Sequence, residues 1–112
     1  MKNRVIIEKI ISYAQKVTTY CEGVDKEEFI MNQMLTESCV FNLSQMGELA
    51  NKLDERFTFN HKNIPWKAIY GLRNRIIHDY EGVNINLVWD VISQDLPGLV
   101  NDLKILSESI KE

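Results

Sequence analysis

The chain has 112 residues, a formal net charge of −3, 45% hydrophobic and 26% charged residues, enough length and apolar content for one domain with its own core. Five Gly and two Pro are few breakers for this length and favour long helices over a turn-rich β fold. The acidic balance excludes a generic polyanion-coating protein, and two cysteines eighteen positions apart, Cys21 and Cys39, form neither a CxxC pair nor a disulfide framework.

Ile6, Ile10, Tyr13, Val17 and Tyr20 recur at helical spacing and predict a first helix from about Asn3 to Tyr20. The start, Met1-Lys2-Asn3-Arg4-Val5, leads straight into this amphipathic pattern, with Glu8 and Lys9 inside it, and does not read as a signal peptide. Asp25, with Glu28 three positions on, caps a second helix. Leu35, Cys39, Leu43, Met46, Ala50, Leu53 and Phe57 carry its register to about Phe57, with 25–31 a candidate separate turn. After a polar connector in which Asn63 is a candidate cap, Pro65 opens a third helix that runs to Tyr80 and stops at Gly82. Ile85, Val88, Ile92, Leu96, Leu99, Leu103, Leu106 and Ile110 keep one register through Pro97, so the fourth helix is expected to be a single helix kinked there. No stretch carries a strand signal, no apolar run is long enough to span a membrane, and the two cysteines read as buried or partly buried thiols. The expectation is a single domain over 1–112, all-α, an antiparallel bundle of four to five helices, cytoplasmic.

Residues 56–78 contain no Asp or Glu but hold Arg56, Lys62, Lys67, Arg73, Arg75 and both histidines, His61 and His78. Such a cationic strip suits a phosphate as well as it suits a plain solvated face. On a helical wheel of 65–80, Arg73 and Tyr80 fall within the apolar arc of Trp66, Ile69, Tyr70, Leu72, Ile76 and Ile77. Asn74 and His78 fall one turn apart on a neighbouring polar stripe with Lys67 and Gly71. An arginine on an apolar face needs a counter-charge, either a carboxylate such as Glu48 or Glu37, or an anionic ligand at an interface. His78 beside Asn74 suits proton transfer, with the alternative of an exposed histidine near a helix end. The histidines are too isolated for a metal site, and no nucleophile elbow is present. Trp66 and Trp89 read as core or interface aromatics.

The run Arg73-Asn74-Arg75-Ile76-Ile77-His78-Asp79-Tyr80 resembles the Arg-polar-x-x-x-His signature of HEPN-domain proteins, and its His-x-Tyr ending resembles the HepT toxins within that superfamily. Gln45–Ala50, Ile64-Pro65-Trp66, Gly71–Asn74 and Val88-Trp89 to Asp95-Leu96-Pro97 match the same pattern in order and spacing, so the resemblance covers about 28–105. It implies a two-fold dimer whose signature helices share a cleft, and a metal-independent endoribonuclease needing no cofactor. His78 would transfer protons, Arg73 hold the phosphate and Asn74 position substrate or His78. The substrate would be RNA, whether mRNA or tRNA. The resemblance also implies a toxin–antitoxin pair, in which an MntA-like nucleotidyltransferase antitoxin silences the protein by AMPylation of Tyr80. Glu48 is expected to be supporting or structural. The rival expectation is a non-catalytic helical nucleotide-binding or interaction subunit of a nucleotidyltransferase complex.

Overall fold

The computed structural model describes residues 2–78 and 82–111 and is an all-α bundle. Helix α1 (Asn3–Tyr20) buries Ile6, Ile7, Ile10, Ile11, Ala14 and Val17 against α3 (Gln33–Ala50) and α8 (Leu96–Ser109). The facing stripe of α3 is Cys39, Leu43, Met46, Gly47 and Ala50. These side chains belong to one continuous core that also takes Phe29, Ile69, Ile76, Leu96 and Leu103. The expected stripe of α1 holds except at its end, where Tyr20 is exposed.

The long second helix expected from the sequence is three helices, and the candidate separate turn at 25–31 is the first of them. Asp25 caps α2 (Lys26–Met31), its side chain accepting from the Glu28 N–H at 2.8 Å. Asn32 then interrupts the helix with extended backbone and accepts from the Leu35 N–H at 3.0 Å, which starts α3. The register of α3 ends at Ala50, and Phe57 belongs to the separate α4 (Glu55–Asn60). Short polar side chains that satisfy a following N–H mark where α2 and α3 start. The connector is pinned across the chain by Asn3: Nδ2 donates to Asp54 Oδ2 at 3.2 Å, and the Asp54 N–H donates to Asn3 Oδ1 at 3.3 Å.

The expected third helix is also divided. It comprises α5 (Trp66–Tyr70), a turn at Gly71, and α6 (Leu72–Ile76). The chain then goes extended as β1 (Ile77–His78), which pairs antiparallel with β2 (Gly82–Val83) in the register Ile77↔Val83 and His78↔Gly82. No strand is expected here from the sequence, and Gly82 is expected as a helix stop. Instead Gly82 is part of the pairing with φ of +78°, a backbone conformation that glycine adopts without steric cost. Asn84 follows, donating its N–H to Ile76 O at 2.8 Å and capping α7 (Ile85–Asp90) through the Leu87 N–H.

Between α7 and α8 lies a π-helical turn, Val91–Asp95. The Leu96 N–H reaches back to Val91 O, five residues away. Pro97, one residue on, has no N–H to give and its ring crowds the preceding turn, so the wider turn replaces the expected proline kink. No described helix is long and apolar enough to cross a membrane.

Candidate functional site

The signature segment is held from behind by tight packing. Gly47 on α3 lies so close to α5 that a Cβ there would meet Ile69 O at 2.9 Å. Ile69, Leu72 and Ile76 fill the core beneath α5 and α6. Trp66 anchors the start of α5: its indole N–H donates to His61 O at 2.9 Å, and its ring faces Phe57, which also meets the His61 ring at 4.6 Å. His61 is thereby part of an aromatic corner. Trp89 packs against buried Phe29 at 5.2 Å. Both tryptophans play the packing roles expected of them.

Arg73, Asn74 and Arg75 are all exposed on α6. The wheel placed Arg73 within the apolar arc, but that arc has two parts. Ile69, Leu72 and Ile76 are buried, Tyr70 and Ile77 are only half-buried, and Arg73 falls at the margin between them. Among the described residues no carboxylate forms an ion pair with Arg73; the described ion pair is Arg4–Glu8. Glu48, the expected partner, is exposed further along α3 and does not line the groove that Arg73 lines. Glu37 does line it, and accepts a hydrogen bond from Gln33 Nε2 at 3.0 Å.

That groove, about 530 Å³, runs between α3, α6 and the β1–β2 pair, with Arg73, Glu37, Phe41, Ser44, Ile77 and Val83 on its walls. Arg75 lines a different groove, of about 510 Å³, against the π turn and α8, whose walls also include Asp95 and Asp102. The five cations of the acid-free strip, Arg56, Lys62, Lys67, Arg73 and Arg75, are all exposed, and Lys62 lies over the Phe59 ring at 4.1 Å.

The Asn74–His78 stripe is not formed as a helical one, because the helix ends at Ile76 and His78 is in extended backbone. Arg73 and Asn74 sit together on α6, and the backbone of His78 follows directly in β1. Tyr80 lies outside the described residues. Sequence reasoning missed the groove itself: Glu37, Phe41 and Ser44 repeat at i, i+4 and i+7 on α3, but nothing in that spacing announces that α6 faces it.

The cysteines are brought together, Sγ to Sγ at 3.7 Å, between the end of α1 and the middle of α3. Burial, then the neighbouring Cys21, pushes the Cys39 thiol up to about 12, and burial raises Cys21 as well. Thiols held neutral this way are packing groups and poor nucleophiles. Among the described residues no cluster of three or more His, Cys, Asp or Glu is arranged to hold a metal.

An all-α bundle with an exposed Arg-Asn pair on α6, four residues before a histidine, is of the HEPN type. The chain belongs to the ribonuclease HepT-like family, whose pattern it matches over residues 10–107. It is similar to "Putative RNase TTE0752" of Caldanaerobacter subterraneus subsp. tengcongensis, 31% identical over 96% of both chains. "Putative RNase MJ1380" of Methanocaldococcus jannaschii is 29% identical over 92% of this chain and 94% of that one. "Probable ribonuclease HepT" of Thermococcus cleftensis is 24% identical over 83% of this chain and 84% of its own. No solved structure gives a significant match.

Proposed function

We propose that the protein is a metal-independent endoribonuclease whose Arg73 holds the scissile phosphate and whose His78 moves the protons, with Asn74 positioning substrate or His78. The observation that carries this reading is Arg73 itself. It is an exposed guanidinium on a rigidly backed helix, lining a groove without a carboxylate pair among the described residues. An always-charged fork with open donors is suited to a phosphodiester. Family membership and the names of the relatives support the same substrate class.

The reaction needs few groups. A base takes the proton of the ribose 2′-hydroxyl, O2′ attacks the adjacent phosphorus, and the P–O5′ bond breaks as an acid protonates O5′. Arg73 stabilises the extra negative charge on the phosphorane oxygens. One histidine per chain supplies base and acid if two copies pair about a two-fold axis. Support for pairing comes from Met31 and Met34, 80% and 84% exposed at the α2–α3 junction, one turn along α3 from the groove. The reading extends to a toxin role with a nucleotidyltransferase antitoxin that adenylylates Tyr80. The added phosphate would then compete for Arg73. Glu48, exposed and away from the groove, is left a supporting role.

The test is cleavage of single-stranded RNA by purified protein in EDTA, wild type against His78→Ala, with Tyr80 shown by mass spectrometry to be unmodified. Cleavage leaving 2′,3′-cyclic phosphate ends, lost by a factor of about 10²–10⁴ in the variant, is expected. Products with 3′-hydroxyl ends that require Mg²⁺ overturn the mechanism. An inactive wild type favours the non-catalytic interaction subunit.

A further inference from the structure

The Arg73 groove has more chemistry than a phosphate requires. Phe41 is 60% exposed halfway along α3, although its neighbours Cys39 and Leu43 are completely buried. An aromatic ring left open in the wall of a groove is a stacking surface. One turn further along, Ser44 Oγ is buried and has no hydrogen-bond partner among the described residues. A buried hydroxyl without a partner is costly relative to one that is paired, so turning about the Ser44 Cα–Cβ bond to meet an occupant of the groove is favoured. One turn back is Glu37, whose carboxylate has about four acceptor positions and uses one on Gln33. Arg73 is on the opposing wall.

We propose that Glu37, Phe41 and Ser44 form a base-recognition subsite that seats a guanine next to the phosphate on Arg73. The proposal rests on the endoribonuclease reading and specifies its substrate: single-stranded RNA with guanosine at the cleaved step. Stacking on Phe41 requires an unpaired base, which excludes duplex RNA. A carboxylate accepts and cannot donate, so it selects an edge with two adjacent N–H donors. Guanine, through N1–H and the N2 amino group, has that edge. Adenine, cytosine and uracil each place an acceptor beside their donor and would meet the carboxylate with one lone pair against another. The Ser44 hydroxyl, which can both donate and accept, completes the set. A nucleotide would use the acceptor positions that Glu37 has beyond its bond to Gln33 and the orphan hydroxyl, together with the cation.

The probes are uridine decamers carrying one guanosine, inosine or adenosine at the centre. Initial rates and mapped ends are measured with wild type, Glu37→Gln, Phe41→Leu, Phe41→Trp and Ser44→Ala. Wild type is expected to cut at guanosine and to discriminate against inosine, which lacks the amino group, by about tenfold or more. Glu37→Gln removes that discrimination. Phe41→Leu raises KM about tenfold with kcat little changed, and Phe41→Trp restores it. Ser44→Ala weakens guanosine binding without moving the cut. Equal cutting at all three bases, or a Glu37→Gln variant with unchanged preference, overturns the proposal. So does a Phe41→Leu variant whose loss tracks a fall in molecular mass by light scattering, which makes Phe41 a subunit contact. Fluorescence anisotropy with the same decamers made 2′-deoxy at the central residue reads binding separately. Absent cleavage with guanine-selective binding counts against the endoribonuclease reading and for the subsite; cleavage without guanine selectivity does the reverse.

Discussion

The α1–α3 pair and the segment from Trp66 to Val83 are built on opposite plans. The first is two eighteen-residue helices with regular buried stripes. The second has two five-residue helices, a glycine turn and a pair of two-residue strands, and it exposes Arg73, Asn74 and Arg75 on α6. The buried stripes of the first make the core, whereas Arg73, Asn74 and Arg75 contribute little to it and are exposed. Stability and activity should therefore separate: substitutions in the buried stripes of the helix pair cost folding energy, and substitutions of Arg73 or Asn74 on the open side of the segment cost turnover.

The largest expected effect is Arg73→Ala. Removing a cation that stabilises transition-state charge lowers kcat by about 10²–10³. Because the guanidinium is exposed and has no carboxylate pair among the described residues, the melting temperature should stay put. Arg75→Ala sharpens the contrast, since that side chain faces the Asp95–Asp102 groove and its loss should leave cleavage near wild type. If Arg73→Ala melts the protein, Arg73 is a structural cation and the separation fails. Next in size is Leu43→Ala, which empties a completely buried position and should cost about 2–5 kcal/mol by denaturant titration, with kcat of the folded fraction unchanged.

The same contrast governs what the sequence could reveal. The stripes of α1, α3 and α8 were legible because burial repeats every three or four residues and nothing interrupts it. The identities of Arg73, Asn74 and His78 were legible from the signature. Their arrangement was not. A wheel assumes continuous helix, and the chain turns at Gly71 and goes extended at Ile77, where β pairing to Val83 outweighs helical continuation. The groove across from Arg73 depends on which helix packs opposite, a long-range fact without local signal. The Cys21–Cys39 contact was missed for the same reason. Pro97 showed that the last helix must deform, but a π turn and a kink answer the same missing N–H.

Gly47→Ala joins the two regions and should affect both. Its Cβ would meet Ile69 O at 2.9 Å, a backbone atom that cannot rotate away, so α5 must shift or strain must be held. A cost of about 1–3 kcal/mol is expected. Because Arg73 is carried by the helix that follows, kcat should fall as well, unlike Leu43→Ala. A Gly47→Ala protein with normal turnover and lowered stability would show that the segment is not positioned from α3.

The smallest effect expected is at Asn32, where one helix expected from the sequence is two. The side-chain bond to the Leu35 N–H and the extended backbone separate α2 from α3. Asn32→Ala removes that bond and substitutes the best helix former, which favours fusion. Fusion would swing α2 and withdraw Phe29 from its completely buried site against Trp89, so burial opposes it. With Phe29 worth more than one capping bond, the break should persist. The variant should lose about 1 kcal/mol in denaturant titration and keep its helical circular dichroism. A gain in helix signal together with a red shift of the tryptophan emission would instead mean that the cap, and not the burial of Phe29, holds the two helices apart.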